Sequence, residues 1–288
     1  MLLSELQYFR PGSVEEAVRL LSSYDNARIL AGGQTLVNVM KIRFASPDVL
    51  VDVGSIESLR GLTVDPDGAA ELGATVTYDE LERSEELARF RPVLCDVAGK
   101  IADQQVRNRG TIGGNLCASD PTNHFPPVTV ALGAEMTVVG PAGERTVTAE
   151  HFFHGVYETA VAPGEMLTAV RIPAPAPDGG DGFAALTIGK DGTGIVTAAA
   201  SLRLSGSLSG VRVAIGCVAA TPVRATAMEE ALEGAEPTEA RVRLAAQGLG
   251  ASLGPPSDVH ASADYRRHVA EVMAVRAVLQ AIDRALLR

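Results

Sequence analysis

The 288-residue chain has no tryptophan, and aromatic residues make up only 4% of it, so glycine and alanine must set much of its close backbone packing. Cysteine is nearly as scarce: Cys95, Cys117 and Cys217 are odd in number and far apart. Such spacing favours reduced thiols over a disulfide framework. With no Cys-x-x-Cys pair and no fourth cysteine, the chain cannot by itself hold an iron–sulfur cluster on four thiolates. Positive charge is short as well, with 25 Lys and Arg against 35 Asp and Glu and a net charge of −10. That balance argues against non-specific nucleic-acid binding, which rests on basic patches. No run approaches the roughly 20 apolar residues of a membrane-spanning helix. The start, Met1-Leu-Leu-Ser-Glu-Leu6, has no basic segment and no cleavable apolar core. A cytoplasmic protein is expected.

Several chemistries are missing too. His151 and His154 stand three apart, but no metalloprotease glutamate follows and no third ligand is evident, so no metal site is expected. There is no Gly-x-Ser-x-Gly nucleophile elbow. Gly189-Lys-Asp-Gly-Thr-Gly194 is neither a P-loop nor a dinucleotide fingerprint, and reads as a flexible loop between strands. No side chain stands out as a general acid or base.

What is present is an ordinary globular pattern, 46% hydrophobic, with room for two or three subdomains. Ser13 and Glu16 form a capping box ahead of a helix to about Ser23. Arg28–Ala31 and Val49–Val53 read as buried strands around a helix from Leu36 to Phe44, with Lys41 and Arg43 in its last turn. Leu62–Val64 and Ala70–Gly73 flank the hairpin turn Asp65-Pro-Asp-Gly68. Thr77 and Glu80 cap helical character that runs towards Phe90, and Pro92 opens a further helix carrying Val93, Leu94, Val97, Ala98 and Ile101. Ala174-Pro-Ala-Pro-Asp-Gly-Gly-Asp-Gly182 is the clearest boundary, since alternating prolines and then glycines suit neither a helix nor a central strand. Beyond it, strands at Phe183–Ile188, Val196–Leu204 and Val211–Ala219, with the last two joined by a Ser205–Gly210 turn, precede helices at Arg224–Leu232, Thr238–Gly248 and from Ser262 onward. The fold class expected is α+β.

Two glycine motifs stand apart from core chemistry. Leu30-Ala-Gly-Gly-Gln-Thr-Leu36 supplies Gly32, Gly33, Gln34 and Thr35. Gln105-Val-Arg-Asn-Arg-Gly-Thr-Ile-Gly-Gly-Asn-Leu-Cys-Ala-Ser-Asp120 supplies two arginines, Thr111, Gly113, Gly114 and Asn115. Glycine lets a ligand approach the backbone, and successive free amides form anion-binding nests. Two such runs from separate subdomains are expected to grip one long anionic ligand, as a dinucleotide pyrophosphate requires.

Ala31-Gly-Gly-Gln-Thr35 with Met40-Lys-Ile-Arg43, then Ile101-Ala-Asp-Gln-Gln-Val-Arg-Asn-Arg-Gly-Thr-Ile-Gly-Gly-Asn115, resemble the FAD-binding medium subunit of the molybdenum hydroxylases, the carbon monoxide dehydrogenase and xanthine dehydrogenase group. The resemblance extends to Tyr8-Phe-Arg-Pro11, Gly164-Glu-Met-Leu-Thr-Ala-Val-Arg-Ile-Pro173 and Ala261-Ser-Ala-Asp-Tyr-Arg-Arg-His268. It implies a two-subdomain FAD-binding module of the vanillyl-alcohol-oxidase (PCMH) type over residues 1–175, with subdomains of about 1–54 and 55–175. A C-terminal α+β domain, an antiparallel sheet covered by helices, follows over 183–288.

The same resemblance implies the site. Arg28, Ile29, Leu30, Ala31, Gly32, Gly33, Gln34, Thr35 and Leu36 would wrap the FAD pyrophosphate, and Thr111, Ile112, Gly113, Gly114 and Asn115 would grip its other side. Ala102 and Val106 would pack near the cofactor, Leu167 would line a ring pocket, and Asp120 would hydrogen-bond it. Lys190 lies close to a lysine position of the family. Departures are Gln34 and Thr35 in place of His and Ser, His124 where relatives commonly carry Asp, and no aromatic near Ile195. The implied role is a flavoprotein oxidoreductase subunit with non-covalent FAD. It would take electrons from the 2Fe–2S clusters of a small subunit and pass them to an external acceptor. The partners would be that small subunit and a large molybdopterin-containing subunit, in an expected dimer of heterotrimers. A stand-alone FAD-dependent oxidase and a non-catalytic nucleotide-binding or assembly module remain as alternatives.

Overall fold

A computed structural model describes residues 3–189 and 192–288. The first layer is a three-stranded parallel sheet, with Val49–Asp52 between Gln7–Phe9 and Ala27–Leu30. The helix Val14–Ser23 packs on it; the Ser13 hydroxyl accepts from the Glu16 amide, while Glu16 reaches back to the amide of Gly12. Ala17, Val18, Val49, Val51, Val53 and Ile56 form the core of this layer. The next helix is shorter than its pattern predicts. It spans Leu36–Lys41, and Arg43 lies outside it in the left-handed region at φ 63°.

The second layer is a five-stranded antiparallel sheet in the order Leu62–Val64, Ala70–Gly73, Met166–Ile172, Glu135–Gly140 and Gly143–Thr148. Helices Tyr78–Arg83, Glu85–Phe90, Pro92–Gly99, Ile112–Ala118 and Phe125–Leu132 accompany it. The single helical run expected from Thr77 to Phe90 is two. Thr77 closes a full capping box with Glu80, and Ser84 ends the first helix and caps the second by accepting from the Leu87 amide.

The third layer is a four-stranded antiparallel sheet of Gly179–Ile188, Thr193–Ser205, Ser207–Gly216 and Val223–Arg224. The helix Ala263–Leu286, capped by Ser262, covers one face of it. Gly179 to Gly182 were expected to break structure, yet they form the first part of the edge strand. A β-carbon on Gly180 would lie 1.9 Å from the carbonyl of Ala281, and one on Gly182 would lie 2.0 Å from that of Ala277. These glycines let helix and sheet backbones touch. The expected six-residue turn after Ser205 also contracts to Gly206 alone, at φ 78°.

Side chains alternate across a strand, so one strand can serve two cores. Ala198, Ala200 and Leu202 join the core under the long helix, whereas Ala199, with Phe183 and Ala214, joins the core of the second layer. The helix Phe125–Leu132 packs on that second face. Arg91, 4% exposed, bridges the same junction: it meets Asp181 at 2.5 Å and the carbonyl of Pro173 at 2.6 Å.

Candidate functional site

The parallel strand Ala27–Leu30 ends at Ala31, and the chain turns through Gly32 to Thr35 into the helix Leu36–Lys41. Gly33 stands at φ 73°, a conformation glycine adopts at no steric cost. The Gln34 side chain donates to the Gly32 carbonyl at 3.1 Å, and Asn38 donates to the Gln34 carbonyl at 2.7 Å. The Val37 amide donates to Gly33. The carbonyls of the turn are thereby engaged. Among the described residues, by contrast, the amides of Gly32, Gly33, Gln34 and Thr35 have no acceptor. Four successive uncommitted amides make a nest for a phosphate oxygen.

The second motif sits directly against the first. A β-carbon on Gly32 would lie 1.9 Å from the carbonyl oxygen of Arg109 and 3.0 Å from the α-carbon of Gly110. The structure thus brings the two runs into backbone contact, but the second is built differently from its expected form. It is a helix start rather than an open loop. Thr111 caps Ile112–Ala118 by accepting from the Gly114 amide at 3.1 Å. The Ile112 amide donates to Val76, the Gly113 amide to Ala74 and the Asn115 amide to Thr111. Gly113 is there for packing, since its β-carbon would meet the Ala74 carbonyl at 2.5 Å. Arg107 is likewise structural: it pairs with Glu82 at 2.9 Å and donates to the carbonyls of Ile101 and Ala102, the latter at φ 46°. Among the described residues, the run of four successive free amides therefore belongs to the first motif.

The second motif contributes a side chain instead. Asn115 is 7% exposed; its amide nitrogen donates to the Tyr78 hydroxyl at 2.9 Å, and its Oδ1 has no partner among the described residues. Burial pushes the Tyr78 hydroxyl up to about 12, so it stays protonated, and its ring stacks on Phe125 at 6.0 Å. The Nε2 of His124, 3% exposed, also has no partner among the described residues. Burial lowers the His124 pKa to about 4 against the pull of the Thr122 carbonyl, leaving a neutral ring 5.5 Å from Phe183. An unsatisfied buried polar atom is costly in an otherwise well-bonded fold. Asn115 Oδ1 and His124 Nε2 were not singled out as a pair by sequence, because their burial depends on Tyr78, Phe125 and Phe183.

Asp120 accepts from the amide and hydroxyl of Thr122 at 2.9 and 2.8 Å and lies 3.5 Å from the Tyr157 hydroxyl. Asn123 donates to the Asn115 carbonyl, tying this polar loop to the helix before it. Ala102 and Val106 flank the second motif, half-buried. Leu167, 4% exposed, sits in the second-layer core at a register shift of its strand. Arg28 is on the strand leading into the nest, donating to the Ala27 carbonyl. Lys190 lies outside the described residues. Donors suited to a pyrophosphate in the first motif, and buried acceptors suited to hydroxyl or imide groups on Asn115 and His124, fit a flavin dinucleotide.

Comparison with known proteins agrees. Residues 4–175 match the family described as "FAD binding domain in molybdopterin dehydrogenase", and residues 183–281 match "CO dehydrogenase flavoprotein C-terminal domain". The chain is 38% identical to the carbon monoxide dehydrogenase medium chain of Afipia carboxidovorans, covering 99% of both proteins. It is 34% identical to the nicotine 6-hydroxylase medium subunit of Paenarthrobacter nicotinovorans, covering 98% of this chain and 99% of the other. Among solved structures, the carbon monoxide dehydrogenase of Hydrogenophaga pseudoflava superposes with a TM-score of 0.95 at 37% identity, over 99% of each chain. Quinoline 2-oxidoreductase of Pseudomonas putida 86 gives 0.93 at 32%, over 99% of this chain and 100% of that one. The open nest, the orphaned acceptors and these whole-length matches lead to one conclusion: the chain belongs to the FAD-binding medium subunits of the molybdenum hydroxylase family, components of oxidoreductase complexes.

Proposed function

We propose that this chain is the electron-transfer flavoprotein of a three-subunit dehydrogenase. When bound, FAD would supply the redox chemistry by which the complex carries electrons from the 2Fe–2S clusters of a small subunit to an external acceptor. The protein's own task is to bind, orient and tune. The amides of Gly32 to Thr35 hold the pyrophosphate, with Arg28, Ile29, Leu30, Ala31 and Leu36 shaping the approach. Thr111 to Asn115 hold the facing side, where Asn115 Oδ1 is the acceptor left over. Ala102, Val106 and Leu167 border the rings, Asp120 fixes the polar loop, and Lys190 belongs to the same set.

The four uncommitted amides against Arg109–Gly110 carry this reading. FAD is held without a covalent bond. Burial pushes the Cys117 thiol up to about 12, so it offers no thiolate beside the second motif at neutral pH. Residues 1–175 serve as the cofactor module and 183–288 as the C-terminal domain, and the complex is a cytoplasmic dimer of heterotrimers with a large molybdopterin-containing subunit.

The test is to produce the chain alone and with its two partner subunits. The expected result is a yellow chain that exchanges FAD, releases its colour to the supernatant on acid precipitation, and is reduced by the complex's substrate only when both partners are present. Reduction of the isolated chain by a substrate would replace this reading with a stand-alone oxidase. A folded chain with no affinity for FAD would sink it.

A further inference from the structure

The motif Ala261 to His268 has no part in the nest, yet it contains one of the most deeply buried charges in the fold. Arg266, 4% exposed, stands in the first turn of the helix Ala263–Leu286. Its Nη1 donates to the carbonyls of Ile195 at 2.5 Å and Cys217 at 3.3 Å, and its Nη2 donates to Asp258 at 2.5 Å. Asp258 is itself fixed by the amides of His260 and Ala261, both at 2.9 Å. Cys217 occupies the left-handed region at φ 67°, an arrangement that a non-glycine residue keeps only when its surroundings enforce it. One planar guanidinium therefore sets the separation of two strand ends, Ile195 and Cys217.

Those strand ends touch the cofactor module. Gly194 precedes Ile195, and a β-carbon there would lie 2.7 Å from Cys217 Sγ and 3.0 Å from the Thr122 carbonyl. A β-carbon on Gly192 would lie 2.6 Å from the Lys100 carbonyl. Residues 192–194 are thus pressed between the turn leading to Ala102 and the polar loop from Asp120 to His124. Thr122 is bonded to Asp120, and Asn123 to the carbonyl of Asn115. A path of side-chain hydrogen bonds and one close backbone approach leads from Arg266 to the site.

We infer that Arg266 is a positioning residue for the FAD site, holding residues 192–195 as a wedge that sets the polar loop and the Lys100–Ala102 turn. The inference rests on the proposed placement of FAD beside Asn115 and Asp120. A general packing role would need only a long side chain. The observed role needs a flat fork with donors spread over three acceptors, which the single ammonium of lysine does not reproduce.

The test compares four full-length chains: wild type, Arg266→Lys, Gly194→Ala and the control Arg243→Met, whose arginine is 65% exposed in a pair with Glu239. Melting of each apo-chain is recorded first. FAD affinity and the visible circular dichroism of bound flavin are then measured at a temperature where all four are folded. Arg266→Lys and Gly194→Ala should each weaken FAD binding about tenfold and alter the flavin dichroism, the scale expected when a coupled supporting contact is lost. Arg243→Met should match wild type. If Arg266→Lys does not fold, Gly194→Ala still decides, because it disturbs the wedge with the clamp intact. A folded Arg266→Lys or Gly194→Ala chain with wild-type affinity and dichroism overturns the inference, however far its melting point falls. A wild-type chain that takes up no FAD overturns the cofactor reading as well, so the two failures are distinct.

Discussion

Gly32 and Arg109 are in contact through their backbones, with no space at Gly32 for even one methyl group: that carbon would sit 1.9 Å from the Arg109 carbonyl oxygen. The two glycine motifs are therefore one structure, and the first motif's amides are aimed by the second motif's main chain. Gly32→Ala must push the two runs apart. It should cost about 1–3 kcal/mol of stability, the usual range for overpacking, and it should abolish FAD binding in the chain that still folds. Calorimetric melting and FAD titration check both halves, and wild-type affinity in Gly32→Ala would refute the aiming role.

Asn115 tests the other side of the site. Asn115→Asp keeps the shape and the unpartnered oxygen but introduces a charge and loses the donor to Tyr78. Asn115→Leu removes both polar atoms. Equilibrium dialysis should show weaker FAD binding in both, and the apo-protein with Leu should be no more stable than wild type, because removing the unpaired Oδ1 strands the buried Tyr78 hydroxyl in its place. A Leu variant that binds FAD normally would exclude Asn115 from recognition.

His124 sets a pH dependence. Its folded pKa, near 4, lies below its ordinary value of 6.5, so the unfolded chain binds more protons between those values. Stability from the neutral ring is fully present above pH 6.5 and drains away as pH falls towards 4, by an amount on the order of 3 kcal/mol. Urea unfolding at pH 7 and pH 5 should show the loss in wild type, and His124→Gln should flatten it. A resonance assigned to the His124 imidazole and titrating near pH 6.5 in the folded chain would contradict this.

The ion pair of Arg91 with Asp181 is almost wholly dry, with side-chain exposures of 5% and 3%. Removing one partner strands the other charge, so Asp181→Asn should destabilise the fold by about 3–5 kcal/mol. The loss should appear as a lower melting temperature of the whole chain in a single transition.

Much of the fold was legible because its signals are local. Ser13, Thr77 and Ser262 each cap a helix where their neighbours predict one, and Pro92 sits at its helix start. Distant partners hid the rest. Gly180 and Gly182 look like breakers until Ala277 and Ala281, far along the chain, come to rest on them. Thr111 to Asn115 look like an open loop until Ala74 and Val76 accept two of their amides. The free amides of the first motif are legible in its sequence, since its conformation depends on Gly33 and its own neighbours. The orphaned His124 ring was noticed by sequence as a departure, but its neutrality follows from burial against residues beyond its own segment.

Gly182→Ala and Gly180→Ala give the clearest check on the corrected strand. Either methyl would drive the helix Ala263–Leu286 off the sheet, and each should lower stability more than Gly206→Ala, where nothing lies within 4 Å of the added carbon but φ is 78°. Equal effects at all three positions, measured by urea unfolding, would mean that backbone conformation rather than close approach explains the glycines.

The strand Thr193–Ser205 alternates its alanines between two cores, and this bears on how the molecule comes into being. When a ribosome has delivered residues 1–175, Phe183, Ala199 and Ala214 do not yet exist to complete the second layer. The nascent cofactor module must wait, with an apolar face open, until the third sheet arrives. Deleting one residue between Val196 and Leu202 would exchange the two faces and leave both cores wrong at once.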